Sequence, residues 1–216
     1  MNRQLLVILA GALLVATFVI LALLYNSQQQ QEISASVGQN NTLLERAYSP
    51  TSGDKQAKVT IVEFFDPACE TCKVFHPLVK QMMAEHPGKI RLVMRYTPFH
   101  QRSDYAVKIL EAARLQNKFE ETLDVIYETQ PIWAPHHNPR PEKLWMLLVK
   151  TGLNIDKARK DMETAEIQRR IEQDMADAKQ LQVTKTPGFF VNGKPLIRFG
   201  YQPLKNLVNS ELSKNY

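Results

Sequence analysis

The chain has 216 residues, a formal charge of +5 and a pI near 9.1. Lys and Arg alternate with Asp and Glu along helix-like stretches such as Lys157-Ala158-Arg159-Lys160-Asp161-Met162-Glu163. No run of aromatics sits among basic residues, so the positive surplus describes a solvated face and argues against a nucleic-acid partner.

Leu5 to Tyr25 is an uncharged apolar run. A helix rising ~1.5 Å per residue would let it cover a hydrocarbon core of ~30 Å. Arg3 precedes it and no basic residue follows until Arg46. The positive-inside bias therefore puts residues 1–4 in the cytoplasm and everything beyond the 5–25 anchor outside. A cleaved signal peptide is the alternative, but no Ala-x-Ala site follows and Ser34-Ala35-Ser36 is distant. Removing Arg3 leaves a formal +4 on the exported part. Its roughly 190 residues are enough for one core. Residues 26–54 are polar and read as a tether, with a short helix at Thr42 to Ala47.

Lys58 to Phe65 reads as a central strand of β-branched and aromatic residues. Asp66-Pro67-Ala68 is a turn. Cys72 to His86 is helical, kinked at Pro77 and ended by Gly88, and Ile90 to Tyr96 is a second strand. Helices follow over Asp104 to Ala113, capped by Ser103, then Phe119 to Tyr127, Glu142 to Thr151, Ile155 to Glu163 and Ala165 to Leu181. Pro131 to Pro141 is a break among them. Phe189 to Val191 and Leu196 to Arg198 bracket a hairpin turn at Asn192-Gly193-Lys194, and Leu204 to Leu212 closes the chain as a helix. Trp133, Trp145, Met82, Met83, Met94 and Met146 are read as packing residues. The order is β–α–β, a helical block over about 103–182, then β–β–α. It suits an α/β fold with a small sheet, helices on both faces and a helical insertion.

The chemistry sits in Cys69-Glu70-Thr71-Cys72, which holds both cysteines of the chain. At a strand-to-helix junction, two intervening residues bring the sulfurs within bonding reach. The first sulfur meets the unpaired N–H groups and the positive dipole end of the helix, which favour a thiolate. Cys69 is therefore the expected nucleophile and Cys72, one turn on and more covered, the resolving thiol. Three other readings remain: a soft-metal site such as copper(I) on Cys69, Cys72 and His76, a structural disulfide, and a chaperone-like protein that hardly turns over. A bridge closing two residues would remove little unfolded-state entropy. His100 follows the second strand, where a surface-loop histidine is the commoner outcome and a place at the active-site edge the alternative, and His136-His137 lies in the proline-rich break. No cofactor is expected.

Glu63-Phe64-Phe65 before the redox pair, Cys69-x-x-Cys72, Pro77, the helical block and Thr186-Pro187 together resemble the thioredoxin fold, in its DsbA-like branch of exported thiol–disulfide oxidoreductases. The resemblance covers residues 55–216. It implies that Cys69 forms mixed disulfides and Cys72 resolves them. It also implies that Pro187 is cis beside the sulfurs and that Thr186 offers its backbone to an extended substrate strand. Glu63 would relay a proton to Cys72, and an acid in a core strand should indeed have a raised pKa. Expected partners are exported protein thiols or disulfides and a membrane redox partner, either a quinone-linked oxidase or a thiol reductase. The expected protein is a monomer held single-pass in the bacterial inner (cytoplasmic) membrane, N-terminus in, with its catalytic domain on the periplasmic or extracytoplasmic side. Two departures bear on direction. Glu70-Thr71 stands where strong oxidants of the family carry a histidine, and a charge at Glu70 should raise the Cys69 pKa and make the disulfide less oxidising. Thr71 retains a hydroxyl to donate to the sulfur. Thr before the proline is similar to isomerases and reductases, but 26–54 is too short for a separate dimerisation domain, which favours an oxidase or general oxidoreductase.

Overall fold

A computed structural model of the protein describes residues 3–39 and 43–216. Helix α1 (Arg3–Gln39) carries the apolar stretch Val7–Tyr25, with mean hydropathy 3.0 and no residue buried. By length and composition it is able to cross a membrane. The helix continues through the polar residues to Gln39, where the sequence reads as tether.

The domain begins earlier than the composition suggests. Residues 43–50 turn rather than form the expected helix, Thr42 itself lying outside the described residues. Leu43 and Leu44 are buried, and β1 (Thr51–Gly53) pairs antiparallel with β3 (Ile90–Tyr96). Gly53 has φ +91°, and a Cβ there would lie 2.6 Å from the Ile90 carbonyl. Only glycine serves at that approach.

Strand β2 (Val59–Phe65) pairs in parallel with β3 and antiparallel with β4 (Gly188–Val191); β5 (Lys194–Pro195) completes the sheet. Among the described residues the strand order is β1-β3-β2-β4-β5. The last strand lies at Lys194–Pro195 instead of Leu196–Arg198. The tight Asn192-Gly193 turn, both residues at positive φ, brings the chain back at once against Val191.

Alternation along β2 divides the core. Ile61, Phe65 and their neighbours face one cluster with α2 (Glu70–Glu85), α3 (Ser103–Arg114), α4 (Phe119–Glu128) and α9 (Tyr201–Asn215). Val62 and Phe64 face a second cluster with Leu43, Leu44 and the end of α8 (Ala165–Gln180). Between α4 and α8 lie α5 (Gln130–Trp133), α6 (Leu144–Leu147), α7 (Ile155–Asp161) and 3-10 turns. The single helix expected from Glu142 breaks into a 3-10 turn, α6 and a second 3-10 turn. Trp133 and Trp145 are buried, whereas Met146 is 77% exposed and packs nothing. Ser103 does not cap α3: it is the first helical residue, behind Arg102 at φ 63°, and its hydroxyl serves the active-site turn instead.

Candidate active site

Strand β2 delivers the chain to the turn. Asp66 Oδ1 accepts from Ala68 N at 2.8 Å and the Asp66 carbonyl accepts from Cys69 N at 3.0 Å, so one residue folds the backbone back on itself. Cys69 is the N-cap of α2, and its sulfur accepts the Cys72 N–H at 3.5 Å. From the insertion, buried Gln130 donates to the carbonyls of Pro67 and Cys69 at 2.9 and 3.0 Å, bracing the turn from the far side.

The Thr186–Pro187 bond is cis, the isomer the resemblance implies, and the Cys69 sulfur lies 3.4 Å from the Thr186 carbonyl. Cys69 is 7% exposed and Cys72 is fully buried. An attacking sulfur can therefore reach the first and not the second. Beside them a groove of ≈ 700 Å³ is lined by Thr71, Thr186, Pro187, Phe189, Ile197 and Phe199, among others. Glu70 instead borders a second depression, with Lys73 and His136.

Electrostatics separate the two thiols. The Cys69 pKa is lowered to about 5: the Cys72 thiol, the Thr186 hydroxyl and the N–H groups of Cys72 and Thr71 donate to its sulfur and outweigh burial. When protonated, Cys69 donates to the Thr186 carbonyl; that single acceptor opposes several donors. The expectation that Glu70 raises this pKa is therefore corrected. Glu70 is exposed in the first helical turn, and the donors converging on the sulfur prevail. Cys72 is pushed well up by burial, then by its bond to Cys69 and the charges of Glu63 and Cys69.

Glu63 is buried on the face of β2 shared by Ile61 and Phe65, between Met94 and Phe189 in the neighbouring strands. Its Oε1 has no hydrogen-bond partner among the described residues. Burial, then the negative charge of Cys69, raises its pKa to about 8. Buried Tyr127 of α4 faces the same group: after burial, the charges of Cys72, Glu63, Asp66 and Cys69 raise its pKa.

Two contributors escape a sequence reading, Asp66 and Gln130, and a third, His100, stands at the active-site edge, the less common of its two readings. His100 sits on the active-site turn, its backbone N–H and ring Nδ1 both 2.8 Å from Asp66 Oδ2. Their only local signal is a polar residue inside or beside an apolar segment. His76 goes elsewhere. Its Nε2 lies 2.8 Å from Asp124 Oδ1 and its ring packs on Tyr127. Among the described residues no three His, Cys, Asp or Glu side chains are grouped to hold a metal. His136 is exposed, away from the two sulfurs' bonds.

A family model described as Thioredoxin matches residues 45–209. The chain is 28% identical over 144 residues to a Na(+)/H(+) antiporter NhaA of Herminiimonas arsenicoxydans, covering 67% of this chain and 22% of that protein. It thus spans about a fifth of the length of the first curated relatives it matches. It is 29% identical over 171 residues to a probable disulfide bond formation protein D of Bacillus anthracis, covering 75% of this chain and 77% of that one. Among solved structures, a thioredoxin-like oxidoreductase from Silicibacter pomeroyi superposes with a TM-score of 0.70 at 27% identity, over 82% of this chain and 99% of that one. The family match runs through β1, the cysteine pair, the insertion and the cis proline without a break, and on that ground the chain belongs to the thioredoxin family.

Proposed function

We propose that the protein is a membrane-tethered thiol–disulfide oxidoreductase that oxidises exported protein thiols. One observation carries the reading: a Cys69 sulfur held at the start of α2, stabilised as a thiolate and placed against Thr186 beside cis Pro187. The apolar stretch of α1 anchors it in the bacterial inner membrane, and the catalytic domain stands on the periplasmic side.

In the oxidised enzyme a substrate thiolate attacks Cys69 Sγ. The Cys69–Cys72 bond breaks, a Cys69–substrate disulfide forms and Cys72 leaves as a thiolate. Cys72 holds protons tightly, and Glu63 is still protonated at neutral pH, so the carboxyl passes its proton to Cys72. A second substrate thiolate then attacks the substrate sulfur, and Cys69 departs as a stable thiolate. Two electrons move from the substrate dithiol to the enzyme. Stabilising that thiolate stabilises the reduced enzyme and makes the disulfide the stronger oxidant. The groove at Thr71, Thr186, Pro187 and Phe199 receives the substrate as an extended strand, and Glu70 borders the neighbouring depression that would take its flanking residues. A membrane partner of the quinone-linked oxidase kind resets the pair.

The test is oxidation of a reduced dithiol peptide by the oxidised protein in detergent. The proposal expects stoichiometric peptide disulfide, lost in Cys69→Ser. Failure of the wild-type protein to transfer its disulfide would overturn it. A copper(I) module on Cys69, Cys72 and His76 is disfavoured by the engagement of His76 with Asp124.

A further inference from the structure

The active-site turn rests on a buried acid that the exchange reaction does not use. Asp66 is fully buried and its carboxylate collects four donors: Ala68 N on Oδ1, and the His100 backbone N–H, His100 Nδ1 and Ser103 Oγ on Oδ2. Because a carboxylate only accepts, the His100 ring carries its proton on Nδ1. The same Asp66 holds Cys69 N through its carbonyl. A negative charge three residues before the nucleophile would oppose a Cys69 thiolate unless a cation balances it. The His100 ring, 21% exposed and 2.8 Å from Asp66 Oδ2, supplies one when protonated.

We propose that His100 is a positioning residue for the thiol chemistry: bound to Asp66 at the mouth of the site, its positive charge supports the Cys69 thiolate, so that His100 protonation and the redox state of the pair are coupled.

The groups facing His100 fit this. Asp66 comes from the turn, Cys69 and Glu70 from the start of α2, and Ser103 from α3. The His100 pKa is raised by its bond to Asp66, against burial, and then by the charges of Asp66, Cys69 and Glu70. Influence of this kind is reciprocal: if the Cys69 charge favours His100 protonation, the imidazolium favours the thiolate equally. Glu63, Tyr127 and Cys72 face Cys69 from β2, α4 and α2. When the disulfide accepts two electrons from a substrate dithiol, Cys72 takes one proton, Cys69 stays ionised and His100 takes up a further fraction of a proton. Oxidation reverses the uptake. This inference rests on the exchange function proposed above.

The experiment is an NMR pH titration of the full-length chain in detergent, with 13C-labelled histidine, after reduction by a phosphine and after oxidation by diamide. His100→Gln assigns the resonance. The expected result is a His100 midpoint at least 0.3 pH lower in the oxidised protein, where Cys69 carries no charge. Equal midpoints overturn the proposal. In His100→Gln the Cys69 thiolate, followed at 240 nm, should titrate at least half a pH higher, and the equilibrium with glutathione should become about threefold less oxidising. His100→Lys should restore both. An unchanged Cys69 midpoint in a folded His100→Gln overturns the proposal as well. Should that variant not fold, the wild-type comparison decides alone. Loss of disulfide transfer to glutathione would sink the proposed function, yet the His100 titration would still read the coupling.

Discussion

Glu63 and Asp174 are both acids sunk in the domain, and the two faces of the sheet treat them in opposite ways. Asp174 lies beneath β3, where fully buried Arg95 donates Nε and Nη2 to its Oδ1 at 3.0 and 2.8 Å. Tyr96 N and Tyr48 Oη add two more bonds. Asp177 beside it takes Arg95 and Arg46, so two acids meet two guanidinium groups. Arg95 also binds the Leu43 carbonyl, which ties the segment following α1 to the core. On the other face Glu63 has no cation bonded to it and its Oε1 has no hydrogen-bond partner among the described residues. Burial raises the Asp174 pKa against the pull of Arg95, whereas the bonds of Asp177 to Arg46 and Arg95 outweigh its burial and lower its pKa. The unpaired one keeps its proton to about 8, and a proton held by burial and by the Cys69 charge beside a buried thiol is one that can be passed on.

The contrast breaks most visibly at the sulfurs themselves. Cys69→Ser should reduce disulfide transfer to background, and Cys72→Ser should stall as a mixed disulfide visible on a non-reducing gel. Arg95→Met comes next: it leaves Asp174 buried without its cation and Asp177 with Arg46 alone, and should cost ~3–5 kcal/mol in urea unfolding. Exchange per folded molecule should be unchanged. Glu63→Gln should invert that result, slowing the step that releases Cys72 by about 10²-fold in stopped-flow exchange while stability holds or rises.

A pH series sharpens the difference further. Glu63 holds its proton to about 8 in the fold against 4.5 for a free carboxyl, so the folded chain binds more protons between those values. Its contribution to stability falls as pH rises through that window. Cys69 ionises at about 5 against 9, so the unfolded chain binds more protons and its contribution grows as pH rises. The two oppose each other in the reduced protein, and the Cys69 part vanishes in the disulfide. The stability of the reduced form relative to the oxidised form should therefore increase between about pH 5.5 and about pH 8. An unchanged gap in urea midpoints would contradict the assigned charges. The smallest effect belongs to Met146→Lys, which should move stability by less than ~0.5 kcal/mol because that side chain stands in solvent.

What the sequence discloses follows from how each signal is encoded. Strands β2 and β3, the redox pair and the helix behind it are local patterns, and Ile90–Tyr96 emerges with the same bounds in the structure. The insertion is legible as a helical block, though not in its broken 3-10 detail. Glu63 is legible because one charge interrupts an apolar run. The docking of residues 43–53 is not, since three polar residues of β1 become a strand only by meeting β3 some forty positions on. Asp66 and His100 lie 34 positions apart and find each other through the sheet. The effect of Glu70 was misjudged from adjacency: a neighbouring charge in sequence matters less than donors aimed at the sulfur.

The most direct test is the pH dependence of alkylation of the reduced protein by iodoacetamide, with the modified cysteine located by mass spectrometry. Reaction at Cys69 alone, with a midpoint near 5 and Cys72 inert until strongly alkaline pH, is the expected result. Equal labelling of both thiols, or a Cys69 midpoint near that of a free thiol, would contradict the account.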